Sequence, residues 1–275
     1  MKFSSLYLSA FLATLLSCTN QQIPQDPIPT HDTFTIQSKG VGEKRTINVW
    51  TPDDYKTKND ALPVLYMPDG GIKEDFPHIA NTIAQLIKDH KIKPLILVGI
   101  ENTERRRDLT GPTIVAKDKE IAPVVGGSEN FRSFIQDELI PEINKRYKTT
   151  NEKSIIGESL AGLFVIETFL LTPNLFDRYI AFDPSLWWND QYLLKNSNNY
   201  FNNFPKENKT LWFAGSNAED IYKNTENFAA QLSHSNLPNV RWRYAPEPKE
   251  QHSTIFRATK EKAIIWAFSS FQSEN

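Results

Sequence analysis

Ser159 lies in a short segment whose residue types and spacing suit nucleophilic chemistry. The segment Gly157-Glu158-Ser159-Leu160-Ala161 falls between an apolar run at residues 154–156 and an apolar stretch from residue 160 onward. In a strand–turn–helix segment of this kind, small residues two positions before and after the serine let strand and helix approach, and the hydroxyl projects from the sheet. The pattern predicts a nucleophile elbow, although a serine that only caps a helix would fit the same five residues.

A nucleophilic serine needs a base, because its hydroxyl is a weak nucleophile until a neighbour accepts the proton. Of the five histidines, His252 is the one that follows the last predicted strand and precedes the final helix. In chain order this is where an elbow serine has its base. The alternative is an exposed loop histidine without a role.

The acid that would orient His252 has three candidates. Glu219 and Asp220 follow a predicted strand at residues 210–214, and Asp183 follows the strand before it. We rank Asp220 first and Glu219 second, and both above Asp183, because a carboxylate in this loop could fix the imidazole tautomer. Acids in the first turn of a helix also stabilise its dipole, which would explain Glu219 and Asp220 equally well.

An oxyanion formed at Ser159 would require two aimed N–H donors. We expect one from the backbone of Leu160 and the other from Gly71, within the segment Asp69-Gly70-Gly71-Ile72. The two glycines could equally form an ordinary turn.

The elements that must position these groups alternate along the chain. Continuous apolar runs of strand length are followed by amphipathic or apolar helical stretches, which indicates a mostly parallel sheet with helices on both faces. We therefore predict an α/β class protein with the α/β-hydrolase fold. The predicted strands are residues 33–38, 44–51, 63–67, 95–100, 153–157, 179–182, 210–214 and 240–244, the first two forming an antiparallel hairpin, and the main helices are residues 131–147, 160–171, 224–232 and 255–271, with another ending near residue 90.

The composition fits one ordered domain that does not bind nucleic acid. The chain has 275 residues, 39% of them hydrophobic, and a net charge of −2. A chain of this length can form one large α/β core. The near-neutral charge gives no basic footprint for nucleic acid.

The N-terminus predicts a lipid anchor. Lys2 precedes an apolar run at residues 3–16, and this run ends in Leu15-Leu16-Ser17-Cys18, which looks like a bacterial lipobox. We expect residues 1–17 to be a signal peptide, residues 18–32 a lipid-anchored tether containing three prolines, and residues 33–275 the α/β-hydrolase domain. The membrane would be contacted through lipid on Cys18, at the bacterial cell envelope as a periplasmic or outer-membrane lipoprotein. A plain secreted protein is the alternative.

Several segments resemble the putative-esterase family of α/β hydrolases, which includes esterase D, feruloyl and acetylxylan esterases, and siderophore esterases. Residues 102–110 (NTERRRDLT) resemble the N-T-x-R-x-R-D-L-T segment of the siderophore-esterase-like branch, and residues 183–189 (DPSLWWN) resemble its S-P-S-L-W-W-N loop. Residues 126–131 and 138–141 are also similar to the family. The chain departs from the family pattern at Glu158, Ala161 and Asp183, where a histidine or tyrosine, a glycine and a serine are usual.

The resemblance implies a serine esterase without a metal or organic cofactor. It carries over Ser159 and His252, and it implies Arg105, Arg107, Trp187 and Trp188 as pocket residues. The arginines could instead form ion pairs with Asp108 or Glu104, and the tryptophans could pack in the core. The siderophore branch is thought to use a serine–histidine dyad, so the resemblance does not settle the acid.

The expected function is hydrolysis of carboxylic esters through an acyl-serine intermediate. The substrate would be a small-molecule ester, such as a siderophore, or a glycan-linked ester. An acetyl or feruloyl esterase acting on polysaccharide is the alternative within the class. A binding lipoprotein that kept the fold and lost catalysis is the alternative outside it.

Overall fold

The computed structural model describes residues 26–269 and contains, within them, one sheet of eight strands. The order across the sheet is β1-β2-β4-β3-β5-β6-β7-β8, and all neighbours pair in parallel except β1 with β2 and β2 with β4. The mostly parallel sheet and the opening hairpin are confirmed. The strands are β1 (Asp32–Gln37), β2 (Lys44–Trp50), β3 (Leu62–Pro68), β4 (Ile96–Ile100), β5 (Thr149–Glu158), β6 (Arg178–Phe182), β7 (Lys209–Gly215) and β8 (Val240–Pro246).

Helices cover both faces of this sheet. They are α1 (Tyr55–Lys58), α2 (Phe76–Lys88), α3 (Arg105–Asp108), α4 (Ala116–Ile121), α5 (Ser128–Phe134), α6 (Ile140–Arg146), α7 (Leu160–Leu171), α8 (Trp188–Phe201), α9 (Glu219–His234) and α10 (Ile255–Phe268). One apolar cluster joins the sheet to α2 and α10, and the other joins it to α5–α9. Successive residues of β3 point to opposite clusters, Leu65 to the first and Tyr66 to the second. This two-sided burial explains why the strands are continuous apolar runs.

The helix predicted for residues 131–147 is interrupted. A π-helical segment, Ile135–Leu139, separates α5 from α6, and Pro141 stands in the first turn of α6. Proline has no N–H to continue the α-helical ladder, so a break before it is expected. Within the segment, Glu138 accepts hydrogen bonds from Ser38 Oγ (3.0 Å) and from the backbone N–H groups of Lys39 (3.0 Å) and Gly40 (2.9 Å).

The N-terminal part of the described chain is attached to the helices of one face. Asp26 forms an ion pair with Arg257 of α10 (2.6 Å), and Asn81 of α2 donates a hydrogen bond to the Pro27 carbonyl (2.7 Å). The predicted signal peptide and Cys18 lie outside the described residues. Within residues 26–269, no helix has the length and apolar character required to cross a membrane.

Candidate active site

Ser159 occupies a strained turn between β5 and α7. Its φ of 60° and ψ of −118° lie in a region that non-glycine residues seldom adopt. The Ser159 N–H donates to the Phe182 carbonyl of β6 (2.9 Å), which ties the turn to the neighbouring strand. Gly157 is required because a Cβ there would lie 2.7 Å from the Ala161 carbonyl oxygen. The local geometry is that of a nucleophile elbow.

His252 connects Ser159 to a buried carboxylate. Its Nε2 lies 3.1 Å from Ser159 Oγ, and its Nδ1 lies 2.9 Å from Asp183 Oδ2. With the proton on Nδ1 donated to Asp183, Nε2 is free to accept the serine proton. The three side chains therefore form a continuous hydrogen-bonded chain in the order acid, imidazole, hydroxyl.

The Asp183 carboxylate is fixed by its surroundings. The side chain has no solvent exposure (0%). Ser216 holds both oxygens, because its N–H donates to Oδ1 (2.6 Å) and its Oγ donates to Oδ2 (2.6 Å). The Asp183 N–H donates to the Ala214 carbonyl of β7 (3.0 Å). One carboxylate oxygen is thereby aimed at His252.

The ranking of Asp220 and Glu219 above Asp183 is wrong as a description of the geometry. Helix α9 begins at Glu219, so both acids occupy its first turn, where they stabilise the helix dipole. The Glu219 side chain is 81% exposed and pairs with Lys223 (2.5 Å), and Asp220 is also exposed. Asp183 was under-ranked because the sequence does not reveal that β6 lies directly beside β5.

The two expected oxyanion donors, Leu160 and Gly71, differ in whether the backbone N–H already has an acceptor. Leu160 begins α7, and the first N–H groups of a helix have no acceptor within it. Gly71 does not offer a free donor, because its N–H donates to Glu74 Oε2 (2.7 Å). The cause is local: the turn closes through a Glu74 N–H to Gly71 carbonyl bond (3.0 Å), which brings the glutamate back over the glycine. The prediction for Gly71 is therefore corrected.

The two predicted pocket arginines are held in ion pairs. Arg105 donates two hydrogen bonds to Asp69, from Nε to Oδ1 (2.6 Å) and from a terminal nitrogen to Oδ2 (2.7 Å). Arg107 contacts Asp108 (2.8 Å) and Glu43 (2.6 Å). The ion-pair alternative with Asp108 therefore describes Arg107, while the partner of Arg105 is Asp69 rather than Asp108 or Glu104.

The two tryptophans have different environments. Trp188 is buried, and its indole N–H donates to the Gly111 carbonyl (3.0 Å), which is the core-packing alternative. Trp187 is partly exposed and lines a cavity of 820 Å³ between α4 and α8. Ile114 and Tyr192 add apolar surface to the same cavity, and Asp220 lies at its edge. Of the two, only Trp187 lines this cavity.

Electrostatics at the site follow from the hydrogen bonds. The hydrogen bond between His252 Nδ1 and Asp183 raises the pKa of His252. Partial burial lowers this pKa, and the negative charge of Glu158 raises it further. Burial raises the pKa of Glu158 to about 7. His252 thus has a higher affinity for a proton than an ordinary histidine, which suits a base that must hold the serine proton during reaction.

Comparison with known proteins decides the family. Residues 38–254 match the model of the family described as "Putative esterase". This chain belongs to that esterase family. The ferri-bacillibactin esterase BesA of Bacillus subtilis is 30% identical, with 86% of this chain and 92% of that protein aligned. A siderophore triacetylfusarinine C esterase of Aspergillus fumigatus is 28% identical over 61% of this chain and 60% of its own length.

Solved structures of similar proteins have the same fold as this esterase. An IroE-like serine hydrolase from Shewanella oneidensis superposes with a TM-score of 0.80 at 24% identity, covering 87% of this chain and 80% of that one. The BES protein from Bacillus cereus gives a TM-score of 0.78 at 22% identity, covering 90% and 100%. The predicted α/β-hydrolase fold, the family resemblance and the activity class, ester hydrolysis, are confirmed.

Proposed function

We propose that this esterase cleaves siderophore-type esters at Ser159, with His252 as general base and Asp183 as the orienting acid. The observation that carries the proposal is the hydrogen-bonded chain from Ser159 Oγ through His252 to Asp183. A dyad would leave the second imidazole nitrogen without a fixed partner. Here a fully buried carboxylate is aligned with it.

The geometry supports a two-step reaction. His252 Nε2 accepts the proton as Ser159 Oγ bonds to the ester carbonyl carbon, and the imidazolium then gives this proton to the departing alcohol. Water hydrolyses the acyl-serine by the same steps, with His252 again taking and returning a proton. Asp183 keeps its charge throughout and stabilises the imidazolium. The Leu160 N–H, at the start of α7, would stabilise the oxyanion.

The substrate class rests on the relatives and on the cavity. Two relatives that align over most of this chain are named siderophore esterases. The 820 Å³ cavity bounded by Trp187 and Tyr192 is within the size range of pockets that accept small molecules. Trp187 lies two residues after Ser185, whose N–H donates to the Ser159 carbonyl (3.2 Å), so this wall of the cavity is connected to the elbow.

The test compares wild type with Ser159→Ala on a siderophore trilactone, a feruloyl sugar and short acyl esters. We expect the substitution to lower kcat by about four to six orders of magnitude on every substrate, because the nucleophile is lost while the fold is kept. Circular dichroism and thermal melting would confirm the fold. Activity retained by the variant would refute the nucleophile, and a preference for the feruloyl sugar would favour the polysaccharide alternative.

We further propose that the esterase is a lipoprotein of the bacterial cell envelope, attached through Cys18. The support is the sequence Leu15-Leu16-Ser17-Cys18 after a short apolar run. Residues 18–32 would then link the lipid to the domain.

A further inference from the structure

The positive charges nearest the elbow are already balanced within the chain. Arg105 is committed to Asp69 by two hydrogen bonds, and Arg107 contacts both Asp108 and Glu43. Arg106 donates to the Ile121 carbonyl. An anionic ligand would have to break these contacts to use the guanidinium groups, so the arginine segment offers little attraction for negative charge.

Glu158 is a negative group beside the nucleophile that has no such partner. It is the residue before Ser159, at the end of β5, and it is partly buried. Among residues 26–269, no hydrogen bond or ion pair engages its carboxylate. Its charge nevertheless acts on the catalytic imidazole, because Glu158 contributes to the raised pKa of His252. Glu158 also contributes to the raised pKa of Arg105, but Arg105 is paired with Asp69, and no ion pair within residues 26–269 neutralises the Glu158 carboxylate.

The cavity does not supply compensating positive charge. Its lining carries two lysines, Lys117 and Lys195, and three aspartates, Asp118, Asp190 and Asp220. Lys195 is paired with Asp190 (2.5 Å). The aspartates of the lining therefore outnumber its lysines, and Glu158 adds a further carboxylate next to Ser159.

We propose that Glu158 is a specificity residue that disfavours esters with a negatively charged acyl group and favours neutral or cationic ones. The inference rests on the proposed function, since it concerns the same serine site. A charge preference at this site would distinguish between ferric siderophores of different net charge. Ferric iron held by three dianionic catecholates carries three negative charges, whereas ferric iron held by three hydroxamates is neutral. The structure favours the neutral class.

The test uses three p-nitrophenyl esters of similar shape: the neutral 5,5-dimethylhexanoate, the cationic 4-(trimethylammonio)butanoate and the anionic glutarate monoester. At about pH 8 Glu158 is ionised, and wild type should show the highest kcat/KM for the cationic ester and the lowest for the anionic one. Glu158→Gln keeps the shape and removes the charge. We expect it to raise kcat/KM for the anionic ester about tenfold, and to lower it for the cationic ester about tenfold, each relative to kcat/KM for the neutral ester. The neutral ester serves as the reference because a change transmitted through His252 alters the cleavage of all three esters alike.

Two controls make the result specific. Glu226→Gln removes one charge from an exposed position on α9 and should leave all three ratios unchanged. Added salt should reduce the wild-type preference between cationic and anionic esters, because it screens a charge that solvent can reach.

The outcomes separate this inference from the proposed function. Cleavage of the neutral ester that is lost in Ser159→Ala supports the serine site whatever the charge preference. Equal kcat/KM for the three esters in wild type, or unchanged ratios in Glu158→Gln, would overturn the role of Glu158. If Glu158→Gln does not fold, Glu158→Ala removes the same charge and is judged by the same ratios.

Discussion

At the scale of single residues, Asp183 determines how His252 behaves. Its carboxylate is buried, held by Ser216 and aimed at Nδ1, so it fixes the tautomer that leaves Nε2 free for Ser159. We predict that Asp183→Asn lowers kcat by about three to four orders of magnitude, because an amide can present its N–H to the ring and favour the wrong tautomer. Steady-state kinetics on a chromogenic ester would measure the loss.

The pH profile provides a second readout of the same change. His252 acts only when neutral, so activity should rise with pH through the pKa of His252, which the bond to Asp183 holds above its ordinary value of 6.5. Removing the negative charge removes this upward shift, so the residual activity of Asp183→Asn should rise at lower pH than that of wild type.

The matched controls are Asp220→Asn and Glu219→Gln. Both acids are exposed in the first turn of α9, and we expect each change to alter kcat by less than about threefold. Equally mild effects in all three variants would argue for a serine–histidine dyad.

The sequence predicted two of these three residues for a physical reason. Ser159 belongs to a local strand–turn–helix motif, and His252 follows from chain order, so neither requires knowledge of the sheet. Predicting Asp183 requires knowledge of the strand order in the sheet, because the adjacency of β5 and β6 is needed to bring Asp183 to the site. Two acids in a later loop were therefore preferred.

At the scale of elements, burial decided which predictions succeeded. The strands β3, β4, β6 and β7 and helix α7 are buried almost throughout, and the sequence predicts their bounds to within one residue. Helix α8 was not predicted, because it contains many asparagines and other polar residues and has a kink at residues 189–191, where φ is positive. Its position against α7 and α9 comes from tertiary packing, which local propensity does not encode.

The contact between α7 and β6 leads to a stability prediction. A Cβ at Gly162 would lie 2.7 Å from the Phe182 carbonyl oxygen and 3.1 Å from Pro184 Cα, both of which are backbone atoms next to Asp183. We predict that Gly162→Ala lowers the free energy of unfolding by about 1–3 kcal/mol and also lowers kcat, because α7 and the Asp183 loop must move apart. Urea denaturation and kinetics would measure both effects.

Gly111→Ala is the control for this substitution. The nearest atom to its added Cβ is a side-chain oxygen of Glu167 at 3.2 Å, a longer contact than the 2.7 Å to a backbone oxygen at Gly162. A smaller loss of stability is expected there. If the two variants proved equally stable, the close backbone contact at Gly162 would not be the constraint we infer.

At the scale of the whole molecule, the parallel sheet assembles the site from distant parts of the chain. Ser159 directly follows β5, Asp183 directly follows β6 and His252 lies in the loop after β8, and the carboxyl ends of parallel strands meet at one edge. Residues separated by 93 positions thereby come within 3.1 Å. The three catalytic side chains all come from the part of the chain between residues 159 and 252.

The proposed lipid anchor can therefore be tested separately from catalysis. We predict that Cys18→Ser moves the protein from the membrane fraction to the soluble fraction, or blocks removal of residues 1–17, because the serine hydroxyl cannot replace the thiol that receives the lipid. Hydrolysis of a soluble ester per molecule of correctly processed enzyme should remain within about twofold of wild type, since Ser159, His252 and Asp183 lie in the folded domain.

Ser17→Ala is the matched control, because it keeps a small residue before the cysteine and should preserve both processing and attachment. Fractionation with labelled palmitate would measure the outcome. Membrane association that is unchanged in Cys18→Ser, without palmitate incorporation in wild type, would exclude the lipid anchor.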